Sequence, residues 1–431
     1  MEIDIFKLRH WQKVALSIVS IFILFFASGC QDKVDRNITT ITLWHGINPP
    51  ENRDVFNELV AEFNRENTDI RVESLYIGQP DGQIPKILAA TVSNQPPDLL
   101  WFVAQLTGQL VQLDALLPLD DWLNRSSIAS EIDRSMFASM ELDDRIYSIP
   151  FATNNTAMFY RPSLFQQAGI KDLPKTWTEL KSAAEKLTQD TDRDGRIDRH
   201  GLSLSLGKGE WTVFAWLPFI FSAGGELIDN NNLPNIINRG TIEALEFGRD
   251  LVNNKLAILS APERGYELDN FINGKVAMQI TGPWTLGQLQ STKIDYDVFP
   301  IPKQKENVAV MGGENLFLFK TNVDRERASL RFLEYILSEK FQTEWALKTG
   351  YLPINTKAQQ SKAYQEFVAL NPALKVFLDQ MKYARSRPII PKYSRLSENL
   401  GRAIEASLLN RQTPQTALTE SQVRLDEIFV K

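Results

Sequence analysis

Apolar positions along the chain fall into strand-like and helix-like rhythms. In FINGKVAMQITGPW (271–284), Val276, Met278 and Ile280 alternate with Ala277, Gln279 and Thr281, which predicts a strand with one apolar face. Gly282 permits a sharp turn, and Pro283 suits the first position of a helix, where its missing N–H costs nothing. Trp284 is then carried on a first helical turn at the carboxyl end of a strand, where open α/β sheets bind ligands. Earlier, ITLWHG (41–46) reads as a strand ending in Trp44 and His45, the latter a polar cleft residue. Val55, Phe56, Leu59, Val60 and Phe63 follow at helical spacing, and Ile70 and Val72 open another strand. That β-α-β order predicts a parallel sheet and an α/β fold. PPDLLWF (96–102) adds a short apolar strand presenting Trp101 near its end.

The middle of the chain alternates in the same way. IYSIPFATNNTAMFY (146–160) is two apolar runs around Thr153, Asn154, Asn155 and Thr156, a polar kink suited to a crossing between lobes. Thr176 and Glu179 form a capping box ahead of a helix. Glu210 and Trp211 open an aromatic stretch that continues through Trp216 and Pro218. Met311, Gly312, Gly313, Glu314 and Asn315 interrupt two strand-like runs, so the backbone can bend and approach something closely. Residues 322–349 read as one helix, with Gly350 as C-cap and Pro353 beyond. RPIIP (387–391), beginning at Arg387, is an extended connection before two last helices.

Length and composition narrow this picture. At 431 residues the chain is long for one core and suggests about two or three domains. Hydrophobic content of 43% and charged content of 23% are those of an ordinary soluble globular protein. A net charge of −6 without a Lys/Arg cluster argues against a nucleic-acid surface. The amino terminus differs: Lys7, Arg9 and Lys13 flank an apolar run (14–27) shorter than the about 20 residues of a membrane span. It ends in Ala27, Ser28, Gly29 and Cys30, the single cysteine of the chain, so no intramolecular disulfide is possible. Small residues before a lone cysteine resemble a lipoprotein signal, in which Cys30 is acylated and becomes the first mature residue.

One local motif suggests a metal. Asp190, Asp192, Asp194 and Asp198 occupy positions 1, 3, 5 and 9 of a calcium loop, with Gly195 at the turn and the carbonyl of Arg196 at position 7. Gly201 stands where the bidentate Glu belongs, so a bound Ca2+ would be weak and structural. No cofactor is otherwise required. Nucleophile-elbow, P-loop and H-E-x-x-H motifs are absent. What recurs is a Trp at a strand end or helix start: Trp44, Trp101, Trp211 and Trp284. Sugar rings expose C–H faces edged by hydroxyls, which indoles flanked by amides and carboxylates match.

In order and spacing, ITLWHG, PPDLLWF, IPFATNNTAMFY, FINGKVAMQITGPW, GGENLFLF, TGYLPIN and NRQTPQTAL resemble the bacterial extracellular solute-binding proteins of the carbohydrate type, from about residue 40 to the end. The resemblance implies a two-lobed periplasmic-binding-protein fold of type II, each lobe a sheet flanked by helices, with a hinge between. It implies a sugar ligand, mono- or oligosaccharide or polyol, and an ABC permease as partner. Carried over by position, Trp44, Trp101, Asn155, Trp211, Trp284 and Glu314 contact the sugar. His45, Asn154, Glu210, Gly313, Asn315 and Arg387 join them as candidates. Members that bind maltose carry an Asp-Arg pair shortly after the Trp matching Trp101; here Val103, Ala104, Gln105 and Leu106 follow.

The expected organisation is a signal peptide (1–29), lobe 1 (30–151 with 312–385) and lobe 2 (152–311 with 386–431), hinged at 152–154, 311–313 and near Arg387. The protein is then a monomer outside the cytoplasm, held to a membrane through Cys30, and not an enzyme. The alternative is a secreted carbohydrate-active enzyme using Glu210 and Glu314 as paired carboxylates.

Overall fold

The computed structural model describes residues 38–430, apart from 79, 134–135, 137–139, 207–208 and 261–267. The signal segment and Cys30 lie outside the described residues. Among those described, no helix is long and apolar enough to cross a membrane.

Two five-stranded sheets organise the chain. The first joins β1 (Thr39–His45), β2 (Ile70–Tyr76), β3 (Leu99–Val103), β4 (Ser148–Pro150) and the late strand β10 (Glu314–Leu318) in the order β2-β1-β3-β10-β4. The second joins β5 (Ala157–Tyr160), β6 (His200–Leu204), β7 (Ala257–Leu259), β8 (Val276–Thr281) and β9 (Asp297–Phe299) in the order β9-β5-β8-β6-β7. β1 and β3 run parallel, with Leu43 opposite Leu99. β10 enters antiparallel beside β3, with Leu316 opposite Trp101, so the sheet is mixed.

β8 departs from the one-faced strand that its alternation predicts. All six of its residues are buried, Gln279 and Thr281 with Val276 and Met278. It sits between β5 and β6, and a central strand with both sheet faces covered exposes neither. A second departure lies in 322–349, which folds as two helices, Val323–Leu337 and Glu339–Thr349. Ser338 breaks them: its backbone is extended, and its hydroxyl accepts from the Phe341 N–H as the cap of the second helix. The capping box at Thr176 and Glu179 and the left-handed Gly350 (φ 81°) form as the residues dictate.

Helices Lys362–Leu370 and Pro372–Gln380, expected with lobe 1 as part of 312–385, bury Tyr364, Leu374 and Phe377 in the apolar cluster of Phe159, Val276 and Val298 on the second sheet. Each such side chain is worth about 1.5–3 kcal/mol when buried, enough to decide where a short amphipathic helix docks. The final helices, Tyr393–Leu408 and Pro414–Val430, pack on each other and on Glu210–Ser222 and Arg239–Asn253.

The segments that join the sheets lie side by side. The Gly312 N–H donates to the Asn154 carbonyl at 2.8 Å, and the Asn154 N–H returns to Gly312 at 3.3 Å. Met311 N–H donates to the Arg385 carbonyl at 2.9 Å, and Ala309–Val310 pairs in parallel with Ala384–Arg385. Three separate passages of the chain are thereby tied together between the sheets.

Candidate functional site

The joined passages form the floor of a recess of about 470 Å³, lined by Asn154, Glu210, Trp211, Trp284, Gly313, Glu314 and Arg387 among others. Glycine is required at the floor for two separate reasons. Gly313 has φ +111°, and a Cβ there would lie 2.3 Å from the Ala152 carbonyl oxygen. At Gly312 a Cβ would lie 2.2 Å from Asn154 Oδ1 and 2.6 Å from the Phe214 ring. The passage can therefore lie flat against both neighbours, which delivers Glu314, the first residue of β10, to the recess.

Helix Glu210–Ser222 supplies one wall. Its first turn presents Glu210 and Trp211, and Phe214 stands one turn further along the same face. Trp284 supplies another, because the turn after β8 aims it inward. Gly282 is needed there for space rather than for a sharp turn: its backbone is extended (φ −125°, ψ 179°), and a Cβ would meet the Trp284 ring at 1.9 Å. Trp211 and Trp284 meet edge to face, with centroids 5.9 Å apart at 82°, and Tyr351 lies 6.5 Å beyond Trp284. The Trp284 Nε1 and Asn154 Oδ1 atoms are buried with no hydrogen-bond partner among the described residues. The Trp284 carbonyl accepts from Asn52 Nδ2 at 3.3 Å, which ties this corner to the helix after β1.

Arg387 is the electrostatic centre of the site. Its Nη1 donates to Glu210 Oε1, and the guanidinium lies 4.7 Å over the Phe214 ring. Tyr393 donates to the same Glu210 oxygen at 3.0 Å, while Ser397 donates to Oε2. Burial works against the Arg387 charge, but Glu210, Tyr393 and Glu314 outweigh it and hold its pKa above the ordinary value. Burial and then the Glu210 charge push the Tyr393 hydroxyl well up, so it remains a donor. A second recess of about 390 Å³ adjoins the first across Gly312, Gly313 and Arg387, and Asn315 and Gln105 line it.

Four expected ligand contacts lie elsewhere. His45 is buried in the lobe 1 core, with its ring 5.2 Å from Phe56 and 5.9 Å from Tyr76 and its Nδ1 accepting from the Ile47 N–H. Burial, then the nearby Arg53 charge, lowers its pKa to about 4, so it is a neutral core ring rather than a cleft group. Trp101 is buried in the same core, edge-on to Phe151 at 6.4 Å. Trp44 packs beside the apolar cluster of Leu100, Phe102 and Phe317, with the Lys86 ammonium 5.2 Å from its ring. Asn155 is fully buried and structural: its amide donates to the Phe377 carbonyl at 2.9 Å and accepts from Gln380 at 2.8 Å, which fastens helix Pro372–Gln380 to the crossing passage.

Phe214 and Tyr351 line the main recess without having been singled out in the sequence. Phe214 follows Glu210 by four and Trp211 by three, so helical spacing could have found it. Tyr351 had a weaker signal, its place directly after the Gly350 cap.

In the acidic loop, oxygens of Asp190, Asp192 and Asp194 lie within 4.8 Å of one another. Asp190 accepts from the Arg193 and Gly195 N–H groups, Asp192 from Asp194 N–H and Asp194 from Arg196 N–H. Gly195 takes the left-handed conformation that the sixth loop position needs (φ +88°). Asp198 stands apart from the trio and accepts from Thr191, which lowers its pKa.

The family model for bacterial extracellular solute-binding proteins matches residues 58–372. The chain belongs to that family. It is 24% identical over 382 residues to a putative binding protein of Brucella abortus, covering 87% of this chain and 90% of that one. It is 25% identical over 427 residues to the sn-glycerol-3-phosphate-binding periplasmic protein UgpB of Yersinia pseudotuberculosis, covering 91% and 92%. In three dimensions it resembles the maltose/maltodextrin-binding domain MalE of Bdellovibrio bacteriovorus bound to maltotriose, with a TM-score of 0.80 at 24% identity over 91% of this chain and 100% of the other. That likeness establishes the two-lobed fold of this solute-binding protein.

Proposed function

We propose that this solute-binding protein captures a sugar or related polyol in the recess between its two sheets and delivers it to the membrane permease of an ABC importer. The observation that carries the reading is the convergence of Trp211, Trp284 and Tyr351 with Asn154, Glu314 and Arg387 around one recess. Indole faces receive the C–H faces of a sugar ring, and the amide and charged groups receive its hydroxyls. The relatives named for glycerol-3-phosphate and for maltotriose support small hydroxylated solutes as the ligand class.

Ligand would draw the lobes together at the passages 152–154 and 311–313 and near Arg387. It favours that state only by touching both lobes more fully there than in the open one. The binding reading is also preferred to a glycosidase because Glu210 already accepts from Arg387, Tyr393 and Ser397, an anchoring role rather than that of an acid or nucleophile. The protein acts as a monomer outside the cytoplasm, tethered by a lipid on Cys30. The convergence of Asp190, Asp192 and Asp194 supports a structural calcium ion at that loop.

A thermal-shift series against uncharged sugars and polyols tests the function. Ligand at about 100 times its Kd adds roughly 2.7 kcal/mol of stability. A raised melting temperature with at least one sugar is expected, lost or weakened in Trp211→Ala; no response across the panel refutes the reading.

A further inference from the structure

The relatives leave two ligand chemistries open, a neutral glycan and a phosphate ester, and the charge layout of the recess separates them. Among the described residues, three charged side chains line the two adjoining recesses: Glu210, Glu314 and Arg387. Two carboxylates against one guanidinium leave the lining with a net charge of one negative. Nor is the guanidinium open to an incoming anion. Arg387 donates to Glu210 and covers the Phe214 ring at 4.7 Å, and its side chain is only 5% exposed. A phosphate is best held by the two-pronged face of an arginine. To offer that face, Arg387 would have to release Glu210, a carboxylate only 17% exposed that also accepts from Tyr393 and Ser397.

The remaining polar atoms point to the same ligand. Trp284 Nε1 is a buried donor and Asn154 Oδ1 a buried acceptor, neither with a hydrogen-bond partner among the described residues. A hydroxyl both donates and accepts, so a polyol can satisfy both. An ionised phosphate oxygen only accepts, so the charged end of a phosphate ester could donate to none of Asn154, Glu210 and Glu314, and only its remaining hydroxyls could serve them.

Resting on the sugar-binding reading above, we propose that the Glu210–Arg387 pair makes this recess selective for uncharged carbohydrates and closes it to phosphate esters. Glu210 is thus a specificity-determining residue that acts through Arg387, and Glu314 reinforces it. This sets the chain apart from the glycerol-3-phosphate-binding relatives whose sequence it partly shares.

The test compares sn-glycerol-3-phosphate with a panel of uncharged sugars, maltotriose among them, by thermal shift and calorimetry on the full chain at several salt concentrations. Wild type should bind an uncharged sugar and bind glycerol-3-phosphate about a hundredfold more weakly, since like-charge juxtaposition is costly. Glu210→Gln keeps one acceptor oxygen, for Tyr393 or Ser397, and removes the negative charge that holds the guanidinium. It should tighten glycerol-3-phosphate at least about tenfold, or about 1.4 kcal/mol. Glu314→Gln, which spares the Glu210–Arg387 pair, should move affinity the same way and covers the case in which Glu210→Gln fails to fold. Wild-type binding of glycerol-3-phosphate as tight as that of any sugar overturns the proposal, as does unchanged glycerol-3-phosphate affinity in folded Gln variants. If no uncharged sugar binds wild type, the sugar reading itself falls and the neutral ligand with it. A response to glycerol-3-phosphate with none to sugars overturns the charge argument while leaving solute binding intact.

Discussion

Acidification from pH 7 to 5 should destabilise this protein through one buried ring. His45 has a pKa near 6.5 in an unfolded chain and about 4 in the folded one, where desolvation by Phe56, Tyr76 and their neighbours disfavours the cation and Arg53 adds to the effect. Between those values the unfolded chain holds a proton that the folded chain refuses, so stability falls as pH drops through the window. Each pH unit between the two values is worth about 1.4 kcal/mol, which gives a loss of about 2 kcal/mol from pH 7 to 5 and about 3 kcal/mol below pH 4. Carboxylates with lowered pKa values, such as Glu62 bonded to Lys340 and Glu131 bonded to Lys357, lose their contribution only as pH falls below about 4.5. The interval from 7 to 5 is therefore largely reserved for His45. Urea unfolding followed by tryptophan fluorescence at pH 7, 6 and 5 reads the effect in wild type and in His45→Asn. The Asn oxygen can still accept from the Ile47 N–H, whose bond to the ring is 3.3 Å, while the titrating group is gone. His45→Asn should be less stable at pH 7, because a packed ring is lost, yet nearly flat from pH 7 to 5. A variant that keeps the wild-type pH slope, or a wild type without one, refutes the assignment of His45 as a neutral core residue.

Trp211→Ala, at a half-buried wall of the recess, should weaken ligand binding roughly tenfold or more with a small change in apo melting temperature. Trp284 is only 5% exposed, so Trp284→Ala should lose both binding and about 3–5 kcal/mol of stability; titration and urea unfolding of the two variants separate the roles. Chelation should lower the wild-type melting temperature if the 190–198 loop holds calcium, and Asp192→Ala should abolish that response; a chelator-insensitive wild type leaves only an Asp-rich loop. Cys30→Ser should release the protein from the membrane fraction or leave an unprocessed precursor, and unchanged fractionation and mass would sink the lipid anchor.

Sequence alone decided whatever is settled within a few residues. Thr176 and Glu179 close their capping box, Gly350 turns left-handed at the end of its helix, and 276–281 is a strand, because each depends on neighbours along the chain. The recess was partly legible for the same reason: Trp284 after a strand, Trp211 at a helix start and the glycine pair before Glu314 are local signals, and all line it. Which tryptophans face the recess was not local. Trp44 and Trp101 stand at strand ends and Trp284 just beyond one, but Trp44 packs beside Leu100, Phe102 and Phe317, and Trp101 lies edge-on to Phe151. Ser338 broke a continuous helical pattern by capping a second helix, and Asn155 was taken into a structural bond by a helix more than two hundred residues later. The Glu210–Arg387 pair spans 177 positions. In the sequence each partner is a separate candidate contact with nothing to pair it with the other; only the tertiary structure brings them together, excludes most of the water that would solvate both, and so makes their bond a determinant of the site.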